Sequence, residues 1–244
     1  MTSSLRCLNP VTSKRCWPKL IFLTGGGEQE SFHKLDQYFL EKLPDNTKIL
    51  IIPQACDEED YDDVLERIQE SFSHKKIASV ELEYTPKNLS LEKLMEFNVL
   101  MIEGGNTFQL INELRDSNFS QLLKQYAGAP DKFIYADSAG AIFLGADVQT
   151  AFLGDEGDED HLKLQDYRGL DLISPWSVHA HYLPDDDEQI QDLVYEKGNP
   201  VIMLAEEAGV CIDQDTMQSL GERPVKLFTF SGIEELNSDE ILRF

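Results

Sequence analysis

The sequence predicts an α/β protein: a mostly parallel β-sheet with helices on both faces. Three observations carry that expectation. Short apolar runs alternate along the first half of the chain with stretches whose apolar residues recur at helical spacing. Turns rich in glycine and proline separate them, and such alternation favours parallel strands covered on both sides. One apolar run, Phe133–Tyr135, breaks at Asp137-Ser138 into a helix of small and apolar residues. A strand–turn–helix of this kind presents a side chain at the top of a parallel sheet.

Taken in order, Lys19 to Thr24 reads as a strand feeding the Gly25-Gly26-Gly27 loop. Phe32, Leu35, Phe39, Leu40 and Leu43 place a helix over Glu30–Leu43, stopped by Pro44-Asp45-Asn46. Lys48 to Pro53 is a second buried strand. Tyr61, Val64, Leu65, Ile68 and Phe72 mark a second helix with an acidic outer face. Ile77 to Tyr84 alternates as a third strand, Leu89 to Glu96 is a short helix, and Val99 to Ile102 is a fourth strand. Phe108, Leu110, Ile111 and Leu114 open another amphipathic helix, and the elbow strand covers Lys132–Tyr135. Val201 to Leu204 is a late buried strand ending in Ala205-Glu206-Glu207. Val210–Ile212 and Val225–Phe230 are expected to pair as a C-terminal β-hairpin, with turn signals at Gly221 and Pro224. No repeat or linker interrupts the chain, so residues 19–244 are expected to form a single α/β domain behind a flexible N-terminal arm, 1–18.

Composition narrows the function classes. A chain of 244 residues is long enough for one domain with a substantial core. Its net charge of −24, from 45 acidic against 21 basic residues, repels phosphate backbones and argues against nucleic acid. No run of eighteen apolar residues marks a membrane span, and residues 1–18 lack the apolar segment of a signal peptide. Cys7, Cys16, Cys56 and Cys211 are scattered without a CxxC pair, which fits reduced thiols and a cytoplasmic location. A bridge between Cys7 and Cys16 stays open.

In open parallel sheets, ligands gather beyond the carboxyl ends of the strands. The loops Gly25–Gly27, Gly104–Asn106 and Asp137–Gly140 are therefore expected to converge. Ser138 at the break is either a nucleophile or an ordinary helix cap. Adjacent Gly104 and Gly105 let the backbone approach a substrate, and the N–H groups of Gly105 and Ala139 are a natural pair of oxyanion donors. The competing reading is a Gly-Gly-Asn turn that caps a helix. Asp155, Glu156, Asp158, Glu159 and Asp160 lack the alternation and terminal glutamate of an EF-hand and read as a solvated loop. His179 and His181, two apart on an extended segment, point the same way. They could be a zinc pair without an obvious third ligand, a surface pair, or the source of a general base for Ser138.

Four elements then stand in a fixed order: Gly-Gly-Asn-Thr-Phe-Gln-Leu from Gly104, Asp-Ser-Ala-Gly-Ala from Asp137, Ala-His-Tyr from Ala180, and a carboxylate after a late strand. This order resembles the dipeptidase E family, which includes cyanophycinases: serine peptidases with a fold like the class I glutamine amidotransferases. The resemblance covers roughly residues 19–232. It implies Ser138 as nucleophile, His181 as base with His179 its competitor, and Glu206 as the orienting acid with Glu207 its rival. It also implies Gly105 and Ala139 as oxyanion donors, with Gly104, Asn106, Asp137 and His179 beside the substrate. No metal or cofactor is implied. The order Ser…His…Glu differs from the Ser…acid…His of α/β-hydrolases, and a serine rather than a cysteine at the elbow argues against a glutaminase.

Two positions depart from the family pattern. Ala136 stands where the elbow usually has glycine. Pro184-Asp185-Asp186-Asp187-Glu188 follows the histidine where aspartyl-dipeptide cleaving members carry arginines, so an acidic rim suited to basic or neutral peptides is expected. The expected function is a serine peptidase acting on short peptides through an acyl-enzyme, with a homodimer allowed for. The alternative is an inactive relative that binds a peptide or protein partner.

Overall fold

The computed structural model describes residues 20–27, 33–115, 117–155 and 157–244, together with the backbone of 5–7. The first half contains β1 (Leu5–Cys7), β2 (Ile21–Thr24), α1 (His33–Lys42), β3 (Thr47–Ile52), α2 (Tyr61–Ser71), β4 (Ile77–Leu82), α3 (Leu91–Leu94) and β5 (Val99–Ile102). Then come α4 (Thr107–Leu114), α5 (Asn118–Ala127), β6 (Phe133–Asp137), α6 (Ala139–Leu144), β7 (Ser177–His179) and α7 (Asp187–Lys197). The chain ends with β8 (Val201–Met203), β9 (Gly209–Asp213), β10 (Thr216–Ser219), β11 (Val225–Thr229), β12 (Gly232–Leu236) and β13 (Ile241–Arg243).

Among the described residues these strands form a nine-stranded sheet, ordered β1-β13-β10-β9-β2-β6-β5-β3-β4, and a four-stranded sheet, ordered β12-β11-β8-β7. Strands β2, β6, β5, β3 and β4 run parallel, and β9 joins β2 antiparallel. Side chains alternate across the central strands. Ile21, Leu23, Leu50, Ile52 and Leu100 enter one core with the apolar faces of α4, α5 and α6. Phe22, Ile49, Ile51, Val99 and Met101 enter the other with Leu35 and Phe39 of α1 and Val64 and Ile68 of α2. Burial on both faces explains why these strands read as unbroken apolar runs. Each buried Leu, Ile or Phe contributes roughly 1.5–3 kcal/mol.

Caps set several helix starts. Ser90 Oγ accepts from the Lys93 N–H at 3.1 Å, and Ser117 Oγ from the Phe119 N–H at 3.2 Å. The second of these opens α5, a helix the sequence reading did not separate from its neighbour. It buries Phe119, Leu122, Leu123 and Tyr126 at helical spacing.

The expected C-terminal hairpin needs correction. Val210–Ile212 and Val225–Phe230 do not pair with each other. Strand β9 folds back onto β10, and β11 pairs with β12 and β8 in the smaller sheet. Local turns explain this. Gln214 and Asp215 link β9 to β10, and Phe230 and Ser231 link β11 to β12. Two-residue connections close more readily than the longer excursion through Gly221 and Pro224.

Of the arm expected over residues 1–18, Leu5–Cys7 pairs in parallel with β13 at the sheet edge. The rest of that arm, and Cys16 with it, lies outside the described residues, as does Lys19 at the start of the first expected strand. Among the described residues, no helix is long and apolar enough to cross a membrane.

Candidate active site

The carboxyl ends of β2, β5 and β6 emerge side by side, so the three expected loops do converge. Ser138 follows β6 directly and adopts φ 43°, ψ −108°, a conformation rare outside glycine. Its flanks hold it there. The Ser138 N–H donates to Thr24 O at 3.2 Å, and Ser138 O accepts from the Ile142 N–H at 3.0 Å. The left-handed bend sits at Ser138 itself, while Ala136 remains in regular, fully buried strand. A methyl group at position 136 therefore costs nothing in backbone strain.

His181 lies two residues beyond His179, the last residue of β7, and its N–H donates to Gly25 O at 2.8 Å. Its Nε2 is 2.9 Å from Ser138 Oγ, and its Nδ1 is 3.3 Å from Glu206 Oε1. Glu206 is 54% exposed, so the carboxylate end of this line is open to solvent. Glu207 adopts φ 66° and turns to the Arg223 guanidinium, 3.2 Å away. Neighbouring side chains point apart, and Glu206 is the one that faces the histidine.

Glycines create the room for this line. A Cβ on Gly26 would lie 2.1 Å from His181 Cε1, and Gly26 itself has φ +84°. Gly105, at φ +128°, packs against the Ala55 carbonyl, where a Cβ would approach to 2.3 Å. Ala139 opens α6, so its N–H has no intrahelical acceptor.

Among the described residues, two cavities meet at Ser138, each also lined by Gly105 and His181. The larger, about 710 Å³, is walled by Thr150, Ala151, Asp155 and Asp158 and by Tyr182, Arg223 and Lys226. The smaller, about 220 Å³, is lined by Arg67, Glu103, Asp137 and Cys56. Asp137 accepts from the Thr24 hydroxyl. Burial raises its pKa, with Thr24, Arg67 and His181 pulling the other way. Glu103 pairs with Arg67, yet burial still raises its carboxyl pKa. The Cys56 Sγ lies 3.1 Å from the Gly104 carbonyl oxygen, and burial, helped by Glu103, pushes its thiol up to about 11.

Other expected site residues are engaged elsewhere. His179 is 2% exposed, with Nδ1 3.1 Å from Thr150 O and Nε2 3.3 Å from Asp186 Oδ2. Burial lowers its pKa. It lines the larger cavity but holds the neighbouring loops rather than competing for Ser138. Asn106 caps α4, accepting from the Gln109 N–H at 2.9 Å and donating to Glu159 O at 3.1 Å. Gly104 packs beside Asp137 and Ser138.

The acidic stretch after the histidine does not form the expected rim. Asp186 is buried and accepts from the Leu183 N–H at 2.7 Å, and Asp187 accepts from the Tyr182 hydroxyl at 2.7 Å. Acidic lining comes instead from Asp155, Asp158, Glu206 and Glu207, opposed by Arg223 and Lys226. In the acidic loop, Asp158 accepts from the Thr107 N–H at 2.8 Å, and Asp160 accepts from the Tyr167 hydroxyl at 3.0 Å. Glu156 lies outside the described residues. No three His, Cys, Asp or Glu among the described residues are placed to hold a metal.

Sequence reasoning missed Gly26, Arg67 and Glu103. The glycine triplet was visible, but not the imidazole that requires it. Arg67 lies on α2, 36 residues from Glu103, and nothing in the helical spacing marks their pairing.

A parallel α/β sheet with serine, histidine and glutamate in line beyond its carboxyl edge has the architecture of a serine hydrolase. Comparison with known proteins narrows the class. The model of peptidase family S51 matches residues 21–220. The chain belongs to that family. An uncharacterized peptidase of Pasteurella multocida is 27% identical over 139 residues, covering 56% of this chain and 66% of the relative. A probable alpha-aspartyl dipeptidase of Drosophila melanogaster is 26% identical over 159 residues, covering 59% of this chain and 62% of the relative. The chain thus spans under two thirds of the length of these curated relatives. The crystal structure of a peptidase from an acI-B1 Actinobacterium superposes with a TM-score of 0.69 at 18% identity, covering 93% of this chain and 98% of the other. At that identity the likeness shows the fold, which is the class I glutamine amidotransferase-like one.

Proposed function

We propose that the protein is a serine peptidase that hydrolyses short peptides through an acyl-enzyme. The observation that carries this reading is the unbroken line from Ser138 Oγ through the His181 ring to Glu206. As Ser138 Oγ attacks the scissile carbonyl carbon, His181 Nε2 takes its proton. The Gly105 and Ala139 N–H groups receive the developing oxyanion. His181 then passes the proton to the departing amine, leaving the acyl group on Ser138, and a water deprotonated by the same imidazole releases it. Glu206 keeps the Nδ1 proton in place and stabilises the imidazolium. Two cavities that both open at Ser138 offer room for the two parts of a short peptide. The free thiols of Cys56 and Cys211 fit a reducing, cytosolic setting.

The test is reaction with a serine-directed organophosphonate, read by intact mass and peptide mapping, with Ser138→Ala as control. A single adduct on Ser138 is expected, together with a rate loss on the order of 10⁴-fold for Ser138→Ala against a cleaved peptide. A folded protein that forms no adduct would point to a binding relative instead.

A further inference from the structure

The peptide group that carries the Gly105 N–H is gripped by a turn outside the Ser138–His181–Glu206 line. Residues 53–56 follow β3 and close with the Cys56 N–H donating to Pro53 O at 2.8 Å. From this turn the Cys56 thiol donates to the Gly104 carbonyl oxygen at 3.1 Å, and the Ala55 carbonyl accepts from the Asn106 N–H at 2.9 Å. The loop is thus held on both sides of Gly105. The turn is in turn tied to α4, whose Gln109 side chain donates to the Cys56 carbonyl oxygen at 3.0 Å.

The bond from Cys56 bears directly on the oxyanion donor. The Gly104 C=O and the Gly105 N–H belong to one planar trans peptide group and point in opposite directions. With glycine on both sides, little else resists rotation of that group. A donor on its carbonyl oxygen therefore fixes the aim of its N–H. The same bond polarises the peptide and strengthens the N–H as a donor. A thiolate in this place would repel the carbonyl oxygen. Burial, with Glu103 adding to it, pushes the Cys56 thiol up to about 11 and keeps its proton on.

We propose that Cys56 and Gln109 are positioning residues for the oxyanion donor: the thiol sets the plane of the Gly104–Gly105 peptide, and the Gln109 amide holds the turn from which the thiol acts. This rests on the peptidase reading of Ser138 and Gly105. Cys56 also lines the smaller cavity, so its effect on the donor has to be read apart from any effect on binding.

The test is the rate at which the organophosphonate modifies Ser138, since its phosphoryl oxygen takes the place of the oxyanion. Maximal inactivation rate and half-saturating concentration are measured separately for the parent, Cys56→Ala, Cys56→Ser and Gln109→Met. Rates are taken well below each variant's unfolding transition, so that stability does not enter. A misaimed donor acts on the transition state and not on binding. Cys56→Ala should therefore lower the maximal rate by about 5- to 30-fold, part of the roughly 10²–10³-fold a whole donor is worth, with half-saturation within about twofold. Cys56→Ser returns a donor of shorter reach and should recover part of the rate. Gln109→Met should slow the reaction in the same direction. Combined with Cys56→Ala it should be less than additive, because both act through one turn. A parent that reacts while all variants match its rate overturns the inference and leaves the peptidase reading in place. A parent that forms no adduct overturns that reading, and the inference with it. A change in half-saturation alone would assign Cys56 to the cavity wall and overturn its positioning role, as would a serine variant no faster than alanine.

Discussion

Replacing Gly26 by alanine should disable the site without touching any residue that does chemistry. The added Cβ would lie 2.1 Å from His181 Cε1 and 2.3 Å from Nε2, whereas ordinary contact begins near 3.4 Å. The imidazole must therefore withdraw by roughly 1 Å or more, since carbon–carbon contacts settle at about 3.5–4.0 Å. Its bond to Ser138 Oγ, now 2.9 Å, would not survive that movement. Misplacing a reacting group by about 1 Å costs on the order of 10²-fold, and full loss of the base raises this towards 10⁴-fold. The backbone adds its own penalty, because φ +84° is unfavourable for alanine by about 1–2 kcal/mol. Gly198 supplies the matched control: it has φ +80° and nothing within 4 Å of its would-be Cβ. Gly198→Ala and Gly26→Ala should lose similar stability by calorimetry, but only Gly26→Ala should lose phosphonate reactivity and peptide hydrolysis. A Gly26→Ala enzyme within about threefold of the parent would refute the placement of His181 against this loop.

Three further outcomes follow from the geometry. Glu206→Gln should lower kcat/KM by about 10- to 100-fold, less than for a buried acid because this carboxylate is half-exposed, while Glu207→Gln stays within a few-fold; equal effects would sink the assignment. His179→Ala should cost about 2–4 kcal/mol in denaturant unfolding, since it leaves the buried Asp186 carboxylate and Thr150 carbonyl without the ring. Below its melting temperature it should keep far more activity than His181→Ala. Burial pushes the Asp36 carboxyl up to about 6, opposed by its bond from the Tyr135 hydroxyl at 2.7 Å. A folded-state value above the unfolded one means this group supports folding fully below about pH 4 and loses that support as pH rises through about 6. Asp36→Asn should remove that slope, worth up to about 3 kcal/mol, in urea titrations between pH 4.5 and 7.5. An unchanged slope would show that another group carries it.

The central sheet was legible because its strands are buried on both faces and bounded by glycine or proline, as in Ile49–Ile52 or Val99–Ile102. The elbow and the converging loops followed from topology alone, because strand ends in a parallel sheet share one edge. What sequence could not supply was pairing at a distance. Strands 210–212 and 225–230 have equal claims on each other by pattern, and only their local turns decide against it. The same holds for charges. Asp186 and Asp187 look like solvated neighbours in a run of four acids, yet one is buried against His179 and the other caps Tyr182. Arg67 and Glu103, 36 residues apart, carry no sequence mark of meeting.

The acidic loop is fastened to Asn106 and Thr107, the two residues directly after Gly105, the proposed oxyanion donor. Asp158 holds the Thr107 N–H at 2.8 Å, and the Asn106 side chain holds Glu159 O at 3.1 Å, both directly after Gly105. The outer wall of the larger cavity is thus tied by two hydrogen bonds to the residues that follow Gly105, and a displacement of one is expected to carry the other with it. A peptide too bulky for that wall would tilt the donor away from the reacting oxygen even where the peptide still binds. Size discrimination would then be exerted on turnover rather than on affinity. Widening this cavity by loop mutation would admit larger substrates and slow their cleavage together.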